Sequence, residues 1–462
     1  GGAAVEPRVA LLAITEADIQ ALGRWPLPDE NLAEMITALQ AYRPDAIAID
    51  IYRDLPVPPG TEQLEAVLAA NSNVFAVEKI GTNGGTGVPP PKVLTGTGQV
   101  GFSDLLVDPD GVVRRGLLFL DDGVDVFYSL SLRLALHYLQ SRDIYPQAGE
   151  PEPSHLRLGD VTLRPFEAND GGYVEADAAG YQFMMDYRGG TQPFASYSLG
   201  ELLSGEIHDD ALEGRIVIVG VAADSVKDDF ITPYRHGGHG LPGVPGSTVH
   251  AHGAGQLLRA ALDGDRPIRV LDDTKEYIWI LFWTVAGIAL VLRFKSAGKF
   301  VPVALFGTAL LLLMSYLAYG TGIWLPLVPA GIGWVAAAAL MTAYLTSYEN
   351  TQRRQVMELF SRQVSEDVAR EIWDQREHFM QGGRVAARDV VCTVLFSDLE
   401  NFTPVSEKLG PARLMEWLNR YMDIMAALVM EHGGIVDDYF GDAIMADFGV
   451  PLQRSTEAVS YT

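Results

Sequence analysis

The sequence predicts a chain of three parts: an α/β domain, a group of three membrane-spanning helices and a smaller α+β domain. Short apolar runs alternate with helical patterns up to about residue 276, and three long apolar stretches follow between residues 277 and 345. A strand, a helix and two further strands are predicted between residues 390 and 448. A chain of 462 residues is long enough for about three domains.

The N-terminal part predicts a largely parallel β-sheet that is covered on both faces. Continuous apolar strands that alternate with helices are typical of such sheets, and their ligands bind beyond the carboxyl ends of the strands. The predicted strands are residues 9–14, 46–51, 73–77 and 215–220, the predicted helices lie near 31–41, 61–70, 127–138 and 249–262, and a hairpin turn is predicted at 108–111.

Charged and polar side chains near the predicted strand ends are candidate contacts for a ligand. They are Glu16, Asp50, Arg53, Arg115, Arg188, Asp224, His250 and His252. The two histidines could bind a metal, but their rings diverge on a predicted helix, which favours hydrogen-bonding or capping roles. The residues do not identify the ligand.

Composition disfavours nucleic acid and anionic lipid as partners. The formal net charge is −25, and most of the acidic excess lies in the N-terminal part, whereas phosphate backbones bind Lys and Arg. The chain has a single cysteine, Cys392, so the N-terminal domain contains none and must be stabilised by an ordinary hydrophobic core.

Three apolar stretches predict three membrane crossings. They are residues 277–294, 300–318 and 323–345, each close to the length that crosses a hydrocarbon core of about 30 Å. Neither the second nor the third contains Asp, Glu, Lys or Arg. A soluble helix of this length normally has a polar face.

The positions of the basic residues predict the orientation. Arg293, Lys295 and Lys299 fill the loop between the first two stretches, and Arg353 and Arg354 follow the third, whereas residues 319–322 carry no charge. Because basic loops remain in the cytoplasm, the N-terminal domain is expected outside and the C-terminal domain inside. The sequence thus predicts a multi-pass protein of the plasma (inner) membrane.

Two aspartates in the C-terminal part indicate metal and phosphate chemistry. Asp398 ends an apolar run, and Asp442 lies in a Gly-Asp turn between two short strands, with a helix at about 411–430 between them. A βαββ unit can bring such carboxylates together around two divalent ions. The backbone amides after Asp398 would contact phosphate groups. They are the amides of Glu400, Asn401, Phe402 and Thr403.

Five fragments in this order resemble the first half of a class III adenylate/guanylate cyclase domain: residues 396–403, 418–421, 432–434, 441–443 and 448–449. The resemblance implies an α+β, ferredoxin-like palm fold and a homodimer. It implies two Mg²⁺ or Mn²⁺ ions held by Asp398, Asp442 and the carbonyl of Leu399. The implied reaction converts ATP into 3′,5′-cyclic AMP and pyrophosphate.

The sequence departs from this family in two respects. Asp438 stands where the family has an adenine-selecting lysine, and a carboxylate accepts hydrogen bonds where lysine donates them. GTP therefore remains an alternative substrate, and a noncatalytic nucleotide-binding domain remains an alternative function. For Asp438 itself, solvent exposure on an edge strand is favoured over contact with the base. The sequence also stops at Thr462, before the family's remaining catalytic residues, so this polypeptide is expected to be truncated and inactive.

The N-terminal part resembles the second type of CHASE domain, an extracellular sensor. The resemblance rests on residues 22–26, 46–50, 187–189, 212–220 and 250–252. It implies an unknown extracellular ligand and three following membrane helices. The family normally has a membrane segment before the sensor as well, so a missing N-terminal segment is expected.

Two linker helices are predicted between the membrane and the C-terminal domain. Val356, Leu359 and Phe360 lie on one stripe of the first helix, and Ser365 caps the second. The stripe fits a dimer contact, and equally packing against its own domain. The predicted boundaries are 1–275 for the sensor, 276–346 for the membrane helices, 347–388 for the linker and 389–462 for the cyclase part.

Overall fold

The structure is a computed structural model that describes residues 6–81, 86–188, 193–233, 243–294, 297–360, 380–381, 384–385 and 391–450. The chain divides into two compact units. The first comprises Gly1–Trp283 and Ala297–Gly333, and the second comprises Thr284–Ser296 and Trp334–Thr462.

Strands and helices alternate along the first part of the chain. Its strands are β1 (Val9–Ile14), β2 (Ala46–Ile49), β3 (Val74–Glu78), β4 (Val100–Phe102), β5 (Arg115–Asp121), β6 (Val126–Tyr128), β7 (Gln147–Ala148), β8 (Leu156–Leu158), β9 (Val161–Leu163), β10 (Tyr181–Met184), β11 (Ala195–Ser198), β12 (Ile216–Val221), β13 (Asp229–Phe230), β14 (Val244–Pro245) and β15 (Arg269–Val270). Its helices are α1 (Glu16–Leu22), α2 (Asp29–Ala41), α3 (Thr61–Ala70), α4 (Leu130–Gln140), α5 (Leu199–Ser204) and α6 (Gly246–Asp263).

A six-stranded sheet forms the centre of this unit, in the order β11-β1-β12-β2-β3-β4. All neighbouring strands in it are parallel, which confirms the predicted parallel sheet. The backbone N–H of Gly111 donates to the Asp108 carbonyl at 2.8 Å, which confirms the predicted turn. Two antiparallel sheets, β10-β5-β6 and β7-β8-β9, were not predicted.

Helices cover both faces of the parallel sheet. Alternate residues of the central strand β12 enter opposite layers, as the pleat of a strand requires. Ile216 and Ile218 pack in the layer of α4 and α6, whereas Val217 and Val219 pack in the layer of α2, α3 and α5. Burial on both faces explains why this strand is a continuous apolar run.

Three further helices are long and apolar enough to cross a membrane, which fits the predicted number of crossings. They are α7 (Asp273–Arg293), α8 (Ala297–Gly320) and α9 (Leu327–Phe360). The third apolar stretch was predicted to begin at residue 323, but the helix begins at Leu327, so this predicted boundary is wrong. Ile323–Trp324 forms strand β16, which pairs in parallel with β15. Pro326 disfavours helix at the residue before it, so α9 begins only after this proline.

The segment between α8 and α9 packs on the α/β domain. A Cβ atom on Gly171 would lie 2.7 Å from the Trp324 ring, so only glycine permits this approach. The rings of Tyr173 and Trp324 meet edge to face, with their centroids 6.4 Å apart. This segment therefore lies with the α/β domain, as the charge pattern predicts.

The described strands of the C-terminal part are β17 (Met380–Gln381), β18 (Arg384–Val385), β19 (Thr393–Ser397), β20 (Gly434–Phe440) and β21 (Ala443–Phe448), and its described helices are α10 (Phe402–Lys408) and α11 (Pro411–Glu431). The antiparallel sheet has the order β19-β21-β20, and α11 packs Met422 and Val429 against it. The predicted order of strand, helix and hairpin is confirmed. The predicted first linker helix is continuous with α9, and the second, with Ser365, lies outside the described residues.

Candidate functional site

A polar pocket of about 420 Å³ opens at the carboxyl ends of β2, β3, β4 and β12. Asp50, Lys79 and Asp104 line it and follow the ends of β2, β3 and β4, while Val221 ends β12. The position of the pocket agrees with the expectation for parallel sheets. His250, at the start of α6, lines the other side.

The ionisable groups of this pocket are strongly affected by burial. Burial raises the pKa of Asp50 to about 7. Burial and the nearby charge of Asp50 raise the pKa of Asp228 to about 6. Burial lowers the pKa of His250 to about 4, so this imidazole is neutral at neutral pH. These three groups titrate far from their ordinary values, which is common at functional sites.

We expect Asp50→Asn to stabilise the protein at alkaline pH. Folded Asp50 keeps its proton up to about pH 7, whereas the unfolded side chain loses it near its ordinary pKa of 3.8. The unfolded state binds fewer protons in this range, so the folded state loses stability as the pH rises from 3.8 to about 7. Asparagine removes this effect, which is worth on the order of 1–3 kcal/mol for a half-buried carboxyl.

The melting temperature of the variant measures this gain. It should exceed that of the wild type at about pH 8 and match it near pH 4. Asp224→Asn is the matched control, because Asp224 is exposed and follows the neighbouring strand β12. If Asp50→Asn raised the melting temperature equally at pH 4 and at pH 8, the pKa of Asp50 would not be raised in the folded protein.

His252 lies away from the pocket. Its ring packs edge-on between those of Tyr187 and Phe194, with both centroid distances at 4.9 Å, and burial lowers its pKa to about 3. The predicted divergence of His250 and His252 is confirmed. Among the described residues, no group of three or more His, Cys, Asp or Glu side chains could hold a metal ion.

Arg115 was predicted at a strand end among the ligand contacts, but it begins β5 in the antiparallel sheet instead. It is buried, and its Nε and Nη2 donate to Asp108 Oδ1 at 3.0 and 2.7 Å. Its Nη1 donates to Gln182 Oε1 at 2.8 Å. The guanidinium carbon lies 4.9 Å from the ring centroids of both Phe166 and Tyr173. Such a network stabilises the fold and leaves little capacity for a ligand.

The remaining arginine candidates also form internal ion pairs. Arg53 is buried, with its Nε 3.6 Å from Asp29 Oδ1, and lines a separate cavity of about 170 Å³ beside α3. Arg188 pairs with Asp186 and, through its Nη1 at 2.7 Å, with Asp265. Neither arginine lines the larger pocket.

The acidic candidates Glu16 and Asp224 lie outside the larger pocket too. Glu16 accepts a hydrogen bond from the backbone N–H of Ser225 at 3.1 Å, and hydrogen bonding to Ser225 lowers its pKa. Asp224 is exposed. Sequence reasoning instead missed Lys79, Asp104 and Asp228. Lys79 directly follows β3 and Asp104 is the second residue after β4, so both could have been found, whereas Asp228 lies in a loop that gives no such signal.

The two aspartates of the C-terminal part lie at the same end of their sheet. Ser397, the last residue of β19, pairs with Ile444 of β21, so Asp398 comes next to the start of β21. Asp442 immediately precedes that start, in the turn that Gly441 makes with a φ of +67°. Asp398 is exposed and Asp442 is partly buried. The strand register thus places both residues at one end of the sheet.

The residues beside these aspartates form a turn and an edge strand. The Leu399 N–H donates to Asp398 Oδ1 at 3.0 Å, and Asn401 precedes α10 in the left-handed conformation. Glu400 and Thr403 are exposed, and Phe402 is partly buried. Asp438 is exposed on the edge strand β20, opposite Met445.

The fold defines a class of protein: a parallel α/β domain with a polar pocket, followed by three helices that could cross a membrane. The CHASE2 domain profile matches residues 2–289, which is more than half of the chain. The chain therefore belongs to the CHASE2 domain family.

Short segments of the chain are similar to adenylate cyclases. Identity is 43% over 56 residues with an adenylate cyclase of Anabaena cylindrica, covering 12% of this chain and 11% of the relative. With adenylate cyclase 1 of Rhizobium meliloti (strain 1021), identity is 33% over 81 residues, which cover 18% of this chain and 12% of the relative. With the terminal-differentiation specific adenylate cyclase of Dictyostelium discoideum, identity is 36% over 63 residues, which cover 13% of this chain and 3% of the relative. The chain spans 12% or less of the length of these relatives.

Proposed function

We propose that this protein is a membrane receptor whose CHASE2 domain controls an adenylate cyclase, which converts ATP into 3′,5′-cyclic AMP and pyrophosphate. The single observation that carries the proposal is the antiparallel register of β19 and β21, which brings Asp398 and Asp442 to one end of the sheet. The similarity of short segments to adenylate cyclases supports the reaction class.

The residues present fit a site for divalent cations. Mg²⁺ and Mn²⁺ prefer carboxylate and carbonyl oxygens, and Asp398, Asp442 and the Leu399 carbonyl offer both kinds. When bound there, such ions would supply Lewis acidity to the α-phosphate and lower the pKa of the attacking ribose 3′ hydroxyl. The two carboxylates would hold this charge, and the turn from Glu400 to Thr403 would contact the triphosphate through its amides.

The direct test is an assay of the full-length protein with Mn²⁺ and either ATP or GTP. Cyclic AMP as the main product supports the proposal. Nucleotide binding without any cyclic product would contradict it and favour a receptor with a noncatalytic, nucleotide-binding output domain. Cyclic GMP as the main product would reassign the protein as a guanylate cyclase.

GTP is the second candidate substrate because of Asp438. This carboxylate is exposed on β20, in the same hairpin as Asp442, and can accept hydrogen bonds from guanine. If Asp438 contacts the base, Asp438→Lys should raise the ratio of the ATP rate to the GTP rate by about tenfold or more, since replacing an acceptor by a donor reverses the pairing. An unchanged ratio would remove Asp438 from the base pocket.

The proposed receptor is a homodimer of the plasma (inner) membrane, with residues 1–275 outside and 347–462 in the cytoplasm. The helix α9 supports transmission across the membrane, because its 34 residues form one helix of about 50 Å. If rotation of this helix controls the output, disulfide crosslinks through cysteines introduced at position 356 or 359 should give different cyclase rates in the full-length protein. Equal rates from the two crosslinked variants would argue against rotation.

A further inference from the structure

The pocket of the CHASE2 domain, bounded by β2, β3, β4 and β12, is lined by carboxylates from three separate elements. Asp50 follows β2, Asp104 follows β4, and Asp228 directly precedes β13. Lys79 lines the same pocket, but its side chain is exposed. Because His250 is neutral, three carboxylates stand against one ammonium group when all three are ionised. An anionic ligand is therefore disfavoured.

Asp50 has no hydrogen-bond donor of its own. In the part of the chain that the structure describes, nothing donates to its carboxylate, and no opposite charge offsets the burial that raises its pKa. Asp104, by contrast, accepts the Ile80 N–H at 2.8 Å. A carboxylate that is partly buried without a donor among the described residues is costly, so the Asp50 carboxylate is available to a cationic ligand that enters the pocket.

The lining of the pocket fits an organic cation better than a metal ion. No three acidic, histidine or cysteine side chains of the described residues could hold a metal ion together, so the carboxylates are too dispersed for direct coordination. Trp25, Tyr52 and Phe230 also line the pocket. Aromatic faces combined with carboxylates are the surroundings that ammonium groups prefer. The volume of about 420 Å³ is typical of small-molecule sites.

We propose that this pocket binds a small organic cation through its ammonium group, with Asp50 and Asp228 as the charge partners and Trp25 and Tyr52 as aromatic walls. The binding itself is independent of the proposed cyclase activity. Only the step from binding to output rests on that function.

The affinity should rise with pH. A bound cation favours the ionised form of Asp50, whose pKa of about 7 means that binding below neutral pH must release a proton. Asp228 acts in the same direction, with a pKa of about 6. The other titratable groups that face Asp50 are Tyr52, Lys79, Asp104 and His250, and His250 stays neutral above its pKa of about 4.

Titration calorimetry of the full-length protein in zwitterionic lipid nanodiscs tests this proposal. The probes are butylammonium, 1,4-diaminobutane and tetramethylammonium, and the uncharged control is 1,4-butanediol. At least one cation should bind saturably and at least about tenfold more tightly than the diol, and about tenfold more weakly at pH 5.5 than at pH 8. Ca²⁺ serves as a metal control. Binding by none of the organic cations, equally tight binding of the diol, or tighter binding of Ca²⁺ would overturn the proposal.

Variants identify the site. Asp50→Asn should weaken binding by at least about tenfold and remove most of the pH dependence, while Asp224→Asn, outside the pocket, should leave both unchanged. If Asp50→Asn does not fold, Asp228→Asn decides the question by the loss of affinity at pH 8, which should again be at least about tenfold. Asp398→Asn should bind the cation normally, so failure of the cyclase proposal and failure of the binding proposal give different results. Unchanged binding in the folded pocket variants would contradict the assignment.

Discussion

Replacing Asp398 with asparagine is expected to lower cyclic nucleotide formation by at least about 100-fold. The change keeps the size of the side chain but removes one of the two carboxylates that the register of β19 and β21 brings together. Charge stabilisation by bound cations contributes several kcal/mol, and each 1.36 kcal/mol corresponds to about a tenfold change in rate. The measurement is the rate of cyclic product with saturating ATP over a series of Mn²⁺ concentrations.

Asp442→Asn should behave in the same way, because both carboxylates would hold the cations of the proposed cyclase site. Glu416→Gln is the matched control, since Glu416 is exposed on α11, and its rate should stay within about twofold of the wild type. If either aspartate variant kept more than about a tenth of the wild-type rate, the shared cation site would be wrong.

Arg115→Ala is expected to be the most destabilising single substitution of a charged residue discussed above. Its removal leaves Asp108, which is 4% exposed, as a buried carboxylate without its main partner. Breaking a buried ion pair from one side costs about 3–5 kcal/mol. For a domain of this size each kcal/mol lowers the melting temperature by about 2–4 °C, so a fall of roughly 10 °C is expected in the full-length protein.

Arg43→Ala provides the contrast. Arg43 pairs with Glu213 at 2.8 Å, but their side chains are 76% and 48% exposed. Exposed pairs contribute about 0–1 kcal/mol, so this variant should melt within a few degrees of the wild type. A small effect of Arg115→Ala, equal to that of Arg43→Ala, would mean that Arg115 does not stabilise the domain and would reopen its role as a ligand contact.

The parallel sheet could be predicted because its strands are buried on both faces. The prediction for β1 and for α3 agrees with the structure at both ends, since an uninterrupted apolar run and a clear helical pattern leave few alternatives. The antiparallel sheet β10-β5-β6 could not be predicted in this way. Its strands include polar side chains such as Arg115 and Gln182, whose burial depends on partners distant in sequence.

The candidate sites differed in how far they could be predicted. Asp50 was found because it lies near the end of a predicted apolar strand, and the Gly441-Asp442 turn was found because its strands and turn residues are local signals. Asp228 was missed because its position depends on how its loop packs beside α6, where the Gly246 N–H donates to the Asp228 carbonyl at 3.0 Å. Arg115 was misassigned because a charged residue at a strand terminus gives the same signal whether it contacts a ligand or an internal carboxylate.

The pairing of β15 with β16 bears on how the CHASE2 domain is made. Arg269 and Val270 pair with Ile323 and Trp324, which the ribosome delivers only after both α7 and α8 have been synthesised. The partner strand of β15 and the Trp324 ring that packs over Gly171 therefore both come from a segment that follows two apolar helices. Completion of the domain therefore depends on the synthesis of both helices, and a fragment that ends at residue 275 would leave β15 without its partner strand.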